Sequence, residues 1–172
     1  EVVYLRIIVE TLAVAPALLG VLIGPLAAFG LLFALAIVLF LRRFESAKVE
    51  DSVADNPAEL TTALLFAAIY SVVIFVSAAV SHHFGESMLY PVAVLSGLSD
   101  VDAITLSTAR LFAESRISED TAWRVIFVAS LANLAFKAGV VAVVGGAVLR
   151  RRLLPALLIL TLAGAGLVLL WP

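Results

Sequence analysis

Two aspartates, Asp100 and Asp102, lie in the apolar segment LSGLSDVDAITLS, which covers residues 95–107. Placing a charged side chain at bilayer depth costs at least about 2.5–3.5 kcal/mol on insertion scales, so a carboxylate found there usually pairs with another group or takes part in an ion pathway. Carboxylate and hydroxyl oxygens suit hard cations such as Mg²⁺ and Na⁺. We therefore expect Asp100 and Asp102 to be ligands of a small ion, either Mg²⁺ or Na⁺.

A shared site requires a break in the helix between these aspartates. In an unbroken helix they would point to nearly opposite faces, because successive residues turn by about 100°. Gly97 lowers helical preference by about 1 kcal/mol, and serine and aspartate compete for backbone hydrogen bonds. If the chain unwinds near Gly97, both carboxylates lie at the start of a new helix, as in the midplane sites of transporters with discontinuous helices. Hydroxyl groups expected beside the break belong to Ser96, Ser99 and Thr105.

A positive partner for the aspartates is expected on a later helix. The segment SLANLAFKAG places Asn133 and Lys137 on one helix face. Lys137 lies 13 residues before Arg150, about 20 Å along a helix, so its ammonium group cannot easily reach that end. Since ionisable groups inside a membrane usually face the bundle interior and pair, we predict that Lys137 pairs with Asp100 or Asp102 and that Asn133 completes the polar cluster.

Two other interpretations of the aspartates remain open from the sequence. A buried pair of these groups can be purely structural. Ser99 as N-cap, with Asp102 three residues later, also matches an acidic variant of the capping box. In that case the aspartates only begin a helix at a wet surface, and no ion site is needed.

The composition indicates a membrane protein that crosses the bilayer several times. Apolar residues make up 63% of the 172 positions and charged residues 14%, against about 45–50% and 25% in soluble domains. Stretches such as LLFALAIVLFL do not alternate polar and apolar residues, so the spans are helices. We predict an all-α bundle of about six helices that forms one transmembrane domain over residues 1–172. The net charge of −2 does not indicate a nucleic-acid partner.

Glycine, proline and charged residues divide this bundle into spans. We predict a tight turn over residues 20–25 and an N-cap at Ser118. A further helix is predicted to start with Asn56 as N-cap and Pro57 at the first helical position, with Glu59 as the capping-box partner. The arginines at 150–152 are expected to stop the helix that Ser118 begins. The predicted spans cover residues 3–19, 26–41, 60–80, 119–149 and 153–171.

The aspartates lie between these spans, in a segment over residues 88–112. Lys and Arg favour the cytoplasmic side of a membrane. Three basic residues fall within 42–48 and three more at 150–152. Both groups lie on one side of the membrane only if residues 88–112 enter and leave on the same face. The charge bias therefore favours a broken or re-entrant segment, although a full crossing stays open.

Three motifs resemble those of one protein family: NPAEL at 56–60, LSGLSDVDAITLSTARL at 95–111, and Ala132 and Asn133 followed by Lys137. With the flanking spans, the likeness covers nearly the whole chain. The chain is similar to the membrane domain of unknown function 4010, which is found at the C-terminal end of MgtC/SapB-type prokaryotic membrane proteins. The resemblance implies a multi-pass protein of the inner (plasma) membrane, linked to magnesium or other ion homeostasis. It implies no established activity.

Two functions are compatible with these features. The first is a transporter or channel component that moves a small ion past the aspartates, with Lys137 as the counter-charge. The second is a non-transporting membrane module that binds or regulates a partner membrane protein through helix faces of small residues. No nucleophile–base pair is present in the sequence motifs, so we do not expect an enzyme. A polar cluster in so small a bundle needs shielding from lipid, so we expect a homo-oligomer, most simply a dimer.

Overall fold

The computed structural model describes residues 2–44 and 89–171, with residues 64, 68 and 71 between them. The two described ranges contain six α-helices and no strand, which confirms the all-α prediction. The helices are α1 (Val2–Val14), α2 (Leu19–Phe44), α3 (Leu89–Ser99), α4 (Asp102–Ala113), α5 (Glu119–Val144) and α6 (Ala147–Leu170). The predicted span over residues 60–80, with its start signal at 56–59, lies outside the described residues except for three helical positions, 64, 68 and 71.

Three long helices form the frame of the molecule. Among the described residues, three helical segments are long and apolar enough to cross a membrane: Pro16–Phe40, Glu119–Val144 and Ala147–Leu170. They meet at Gly164, where an added Cβ would lie 2.3 Å from Leu131 Cδ2 of α5 and 2.8 Å from Phe29 Cε2 of α2. A side chain at this point would separate the three helices, so the glycine sets their close approach.

Two of the three long helices run in the same direction, and the third runs opposite to them. Along α2, Gly24 faces the ring of Trp171 and Phe29 faces Gly164, so residue numbers fall along α6 as they rise along α2. Arg124 of α5 donates from Nε to the carbonyl of Val168 at 3.2 Å, whereas Leu131 further along α5 contacts Gly164. Both α2 and α5 are therefore antiparallel to α6.

An aromatic cluster fills the centre of the bundle. Trp123 and Phe127 of α5 contact edge to face with ring centroids 6.2 Å apart. Phe127 contacts Phe29 of α2 at 5.4 Å, and Phe29 contacts Tyr4 of α1 at 6.0 Å. Trp123, Phe127 and Phe29 are fully buried. These rings join α1 to the long helices and so position the N-terminal helix.

The predicted turn at residues 20–25 is wrong, because the first two helices separate earlier. Ala15 adopts φ −143° and ψ 72°, and a short 3-10 turn follows at Pro16–Leu18. Proline disfavours the helical conformation of the residue before it and cannot donate a backbone hydrogen bond. Pro25 lies inside α2 instead, where it is fully buried.

A second predicted boundary, at the arginines of 150–152, is also wrong. The helix that begins after Ser118 ends at Val144, and Gly145 takes up an extended conformation with φ −68° and ψ 132°. Glycine destabilises a helix interior more than an arginine does, so the adjacent glycines end the helix and the arginines lie in the first turns of α6. The predicted N-cap is confirmed, since Ser118 Oγ accepts a hydrogen bond from the backbone N–H of Thr121 at 3.2 Å.

The segment that carries the aspartates is broken, as predicted. Helix α3 has 11 residues and α4 has 12, or about 17 Å each, against about 30 Å for the hydrocarbon core. Gly97 of α3 packs against Ala129 of α5, and two residues further on Ser99 shares a cleft with Lys137. Since residue numbers rise together, α3 runs parallel to α5.

Helix α4 must turn back toward the start of α5. If α4 continued in the direction of α3, Ala113 would lie more than 30 Å from Glu119 along the axis of α5. Five residues separate Ala113 from Glu119, and they span at most about 20 Å. Therefore α3 and α4 form a hairpin whose tip lies beside the middle of α5.

Candidate functional site at the tip of the helical hairpin

The tip of the hairpin is at Asp100 and Val101, between α3 and α4. Gly97 does not unwind the chain there, contrary to the prediction, because it lies inside α3. It allows close contact instead: a Cβ at Gly97 would lie 2.3 Å from the carbonyl oxygen of Ala129 and 2.8 Å from its Cα. The break comes three residues later, where Asp100 competes for backbone hydrogen bonds.

Three backbone groups at the end of α3 have hydrogen-bond partners in the hairpin or on α5. The Ser96 carbonyl accepts the N–H of Asp100 at 2.7 Å and the hydroxyl of Ser99 at 3.0 Å. Asn133 of α5 donates from Nδ2 to the Gly97 carbonyl at 3.0 Å. The structure thus places three of the predicted residues, Ser96, Ser99 and Asn133, at the break, where they hold the backbone in place.

The start of α4 is closed by a similar set of local hydrogen bonds. Asp100 Oδ1 accepts the backbone N–H of Asp102 at 3.2 Å. The hydroxyl of Thr105 donates to the Val101 carbonyl at 2.8 Å, and Thr105 is fully buried. Asp100 therefore acts as a helix-starting residue and remains exposed, whereas the carboxylate of Asp102 is free to face another helix.

That helix is α1. Arg6 Nη2 forms an ion pair with Asp102 Oδ2. The Asp102 side chain is 17% exposed and that of Arg6 53%. The predicted pair between Lys137 and an aspartate is wrong for Asp102, and neither aspartate forms an ion pair with Lys137 among the described residues. Arg6 approaches the tip from α1, whereas Lys137 lies on the other side, beside Ser99.

Lys137 is exposed on α5 and borders two clefts. The larger, of about 370 Å³, includes Leu98, Ser99 and Phe136, and the smaller, of about 140 Å³, includes Tyr4 of α1. Since α5 ends at Val144, Lys137 is seven residues from the helix end, about 10 Å rather than the predicted 20 Å. Its side chain can therefore extend toward that end, as lysines near helix termini do.

A third carboxylate joins the site from α1. Glu10 interacts electrostatically with Arg6, which attracts it, and with Asp100, which repels it. We call Arg6, Glu10, Asp100 and Asp102 the tip cluster. Within the described part of the chain, three buried side-chain oxygens lack a hydrogen-bond partner, and all three are on α1 or α4: Glu10 Oε2, Thr11 Oγ1 and Thr108 Oγ1.

The tip cluster combines three carboxylates with one guanidinium group. In the described ranges no set of three or more His, Asp or Glu side chains is close enough to hold a metal ion. Direct metal ligation by Asp100 and Asp102 stays a prediction. What the arrangement can do is exchange the partner of Asp102, because a cation that approaches this carboxylate competes with Arg6.

Arg6 and Glu10, which supply half of the tip cluster, were not predicted as site residues from the sequence. Their signal was present: two opposite charges at positions i and i+4 of an otherwise apolar helix lie one above the other on one face. Charged residues in apolar segments are costly to bury in a membrane. That principle identified the aspartates as candidates, and it applies equally to Arg6 and Glu10.

Comparison with known proteins places the chain in a family. No solved structure matches it. An uncharacterized protein of Aquifex aeolicus (strain VF5) is 36% identical over 118 residues, which cover 68% of this chain and 51% of that protein. The chain thus matches about half the length of this relative. Its apolar helices are those of a membrane protein, and residues 1–145 match the family described as a domain of unknown function, DUF4010. The chain belongs to the DUF4010 family.

Proposed function

We propose that this chain is a component of a small-cation transporter or channel in the prokaryotic inner membrane, with Asp102 as the residue that takes the cation and Arg6 as its counter-charge. One observation carries the proposal: an ion pair joins α1 to the tip of a hairpin whose two helices are each too short to cross the bilayer. Short helices that meet at a charged break are the usual architecture of ion sites in transporters.

The depth of the tip supports this role. The carbonyl of Gly97 meets Asn133, and Gly97 packs on Ala129. These α5 residues lie about 15–21 Å from Glu119 along a helix of 26 residues, which is close to its midpoint. A cluster of four ionisable groups at that depth is expensive in lipid, so a role beyond packing explains why it is present.

The charge of the tip cluster favours a cation. With all four groups ionised, three carboxylates and one guanidinium leave a formal charge of −2. Arg6 has Glu10 one turn away on α1 as a second carboxylate. It can therefore move from Asp102 to Glu10 when a cation arrives, so that no charge is left without a partner during the exchange.

The unpartnered oxygens indicate where the cation would pass. Thr108 is six residues beyond Asp102, about 9 Å, and Thr11 is five beyond Arg6, about 8 Å. Both are fully buried without a hydrogen-bond partner in the described structure, and α1 packs against α4. Hydroxyl oxygens that lack protein partners are suited to hold water or to contact a partly hydrated cation.

The direction of this route follows from the fold. Helix α4 leads back to the start of α5, as the short link before Glu119 requires. Helix α1 leads to the start of α2, where Gly24 contacts Trp171. The carbonyl of Trp171 in turn accepts a hydrogen bond from Arg124 near the start of α5. Helices α1 and α4 therefore both lead from the tip cluster toward the end of the bundle where α5 begins.

Flux measurements in proteoliposomes test the proposal. The purified chain would be reconstituted and the uptake of Na⁺, Mg²⁺ and H⁺ followed for the unchanged chain, Asp102→Asn and Arg6→Gln. Asp102→Asn should abolish uptake, because the neutral amide cannot replace the charge that holds the cation. Arg6→Gln should lower the cation concentration needed for half-maximal uptake, because the competing charge is gone.

A matched control removes charges outside the site. Glu114 and Arg116 form an exposed pair between α4 and α5, so Glu114→Gln/Arg116→Gln should leave uptake unchanged. If Asp102→Asn transports as well as this control, the tip cluster is not an ion path. The alternative, a module that binds or regulates a partner membrane protein, then becomes the better hypothesis, and it predicts that the aspartate variant keeps its cellular function.

We also expect the chain to act as a homodimer. Arg6 is 53% exposed in a single copy and Asp100 is exposed beside it. A second copy would shield these charges from lipid. Crosslinking in membranes would show a dimer band if this is correct.

A further inference from the structure

The larger cleft beside Lys137 lies where α5 continues beyond the tip of the hairpin, and we call it the lysine cleft. Its lining residues include Leu98, Ser99, Asn133, Lys137, Val140 and Val141. It extends from the end of α3 at Ser99 to Val141, which is three residues, about 5 Å, before the end of α5. The lysine cleft therefore leads from the hairpin tip to the face of the bundle at which α5 ends.

The lysine cleft offers room and partners for water. Lys137 forms no ion pair with a carboxylate in the described part of the chain, and an unpaired charge is costly to place in hydrocarbon. Ser99, Asn133 and Lys137 are three polar side chains in a cleft of about 370 Å³, which meets the requirements for bound water. Water that enters from the nearby face solvates the ammonium group and reaches the tip of the hairpin.

The smaller cleft extends this path to the helix that carries Arg6. Asn133 and Lys137 line both clefts, and Val3 and Tyr4 of α1 line the smaller one. Tyr4 is two residues before Arg6, about 3 Å along α1. The two clefts therefore approach the tip cluster from the end of α5, whereas the route along α1 and α4 leads to the opposite face.

The distribution of basic residues identifies the face at which the lysine cleft opens. Because α2 and α5 run opposite to α6, this face holds the end of α2 and the start of α6. Two arginines lie in the last turn of α2, at 42 and 43, and three lie near the start of α6, at 150–152. The opposite face has three, at 110, 116 and 124. Since Lys and Arg favour the cytoplasmic side of a membrane, the lysine cleft is assigned to that side.

We infer that the lysine cleft is the cytoplasmic entry to the tip cluster and that Lys137 makes this entry favour monovalent over divalent cations. Because it concerns the same cation, this role rests on the proposed function. Lys137 repels each cation in the cleft in proportion to the charge of the ion. At about 10 Å, each added unit of charge is disfavoured about twofold in a water-like medium and roughly fifteenfold at a dielectric constant of about 20. Na⁺ therefore passes Lys137 more readily than Mg²⁺.

Competitive uptake of Na⁺ and Mg²⁺ by the full chain in proteoliposomes tests the role of Lys137. Lys137→Gln should raise the ratio of Mg²⁺ to Na⁺ uptake at least about twofold, and Lys137→Arg, which keeps the charge, should leave the ratio unchanged. An unchanged ratio in Lys137→Gln, with uptake still lost in Asp102→Asn, would overturn the inference and leave the proposed function intact. Equal uptake by Asp102→Asn and the unchanged chain would refute the proposed function and, with it, the role of Lys137.

Cysteine labelling tests the lysine cleft itself and does not depend on uptake. The chain has no cysteine, so single cysteines can replace Val140, which lines the cleft, and Gly139, which does not. A membrane-impermeant maleimide should label Val140→Cys in inverted vesicles, where the cytoplasmic face is outside, but not in intact cells. Gly139→Cys, one residue away on α5, should stay unlabelled in both. Equal labelling of the two variants, or labelling of Val140→Cys only in intact cells, would overturn the inference.

Discussion

Replacing Gly97 by alanine is the most direct test of how the hairpin is held against α5. The new methyl carbon would lie 2.3 Å from the carbonyl oxygen of Ala129 and 2.8–2.9 Å from two backbone carbons of the same residue. A carbon and a carbonyl oxygen normally come no closer than about 3.3 Å. Backbone atoms cannot rotate away as a side chain can, so α3 and α5 must separate by about 1 Å.

That separation has a second consequence at the tip. Asn133 Nδ2 lies 3.0 Å from the Gly97 carbonyl, and an increase of about 1 Å takes it beyond hydrogen-bond range. Overpacking costs about 1–3 kcal/mol and the lost hydrogen bond about 0.5–1.5 kcal/mol. Alanine regains about 1 kcal/mol through its helical preference. We expect Gly97→Ala to lower the free energy of unfolding by about 2 kcal/mol.

Unfolding in mixed micelles by titration with sodium dodecyl sulfate would measure this change, followed by the fluorescence of Trp123 and Trp171. Gly139→Ala is the control, because a Cβ at Gly139 of α5 meets nothing within 4 Å. It should stabilise the protein slightly through helical preference alone. If Gly97→Ala is as stable as Gly139→Ala, the close approach of α3 and α5 is not what holds the hairpin.

Three further predictions concern single contacts. Asp102→Asn and Arg6→Gln should each lower the free energy of unfolding by about 1–3 kcal/mol, because each change leaves one charge without its partner. The double variant should lose less than the sum of the two single losses. Additive losses in the same titration would contradict the ion pair. Ser118→Ala should cost about 1 kcal/mol through the lost bond to the Thr121 N–H, and an unchanged midpoint would contradict that cap. Arg124→Gln removes guanidinium bonds to the last carbonyls of α6, so backbone amides in the final turn should exchange hydrogen faster; exchange as slow as in the unchanged chain would show that Arg124 does not hold this end.

The helical architecture could be predicted where a local signal is unambiguous. Ser118 is followed by two acids and an apolar run, and that pattern located the start of α5. The serine and aspartate residues of 96–102 predicted the break between α3 and α4, whereas Gly97, expected to unwind the chain, lies inside α3. Pro16 and Pro25 are both helix-breaking residues. The sequence alone does not show which of the two prolines the tertiary packing accommodates inside a helix. Pro25 is buried within α2, and only the tertiary structure shows that it fits there.

The candidate site could be predicted only in part. Asn133 was expected beside the break, and it does contact the Gly97 carbonyl. The partner of Asp102 could not be deduced from the sequence, because Arg6 and Lys137 are both basic residues within apolar segments. Which of them reaches Asp102 depends on how α1 packs. The distance argument for Lys137 also assumed that α5 extends to the arginines, whereas the glycines at 145 and 146 end it earlier.

The hydrogen bonds that protein groups donate to the hairpin tip have a consequence for solvation. An interrupted helix in hydrocarbon normally exposes bare peptide groups that only water or a neighbour can satisfy. Here the carbonyls of Ser96, Gly97 and Val101 all have protein donors. These three carbonyls therefore need no water at the bend. Water near the tip is then held by the charged side chains of the tip cluster and by the unpartnered hydroxyls of Thr11 and Thr108, so neutralising the carboxylates would lower the hydration of the tip.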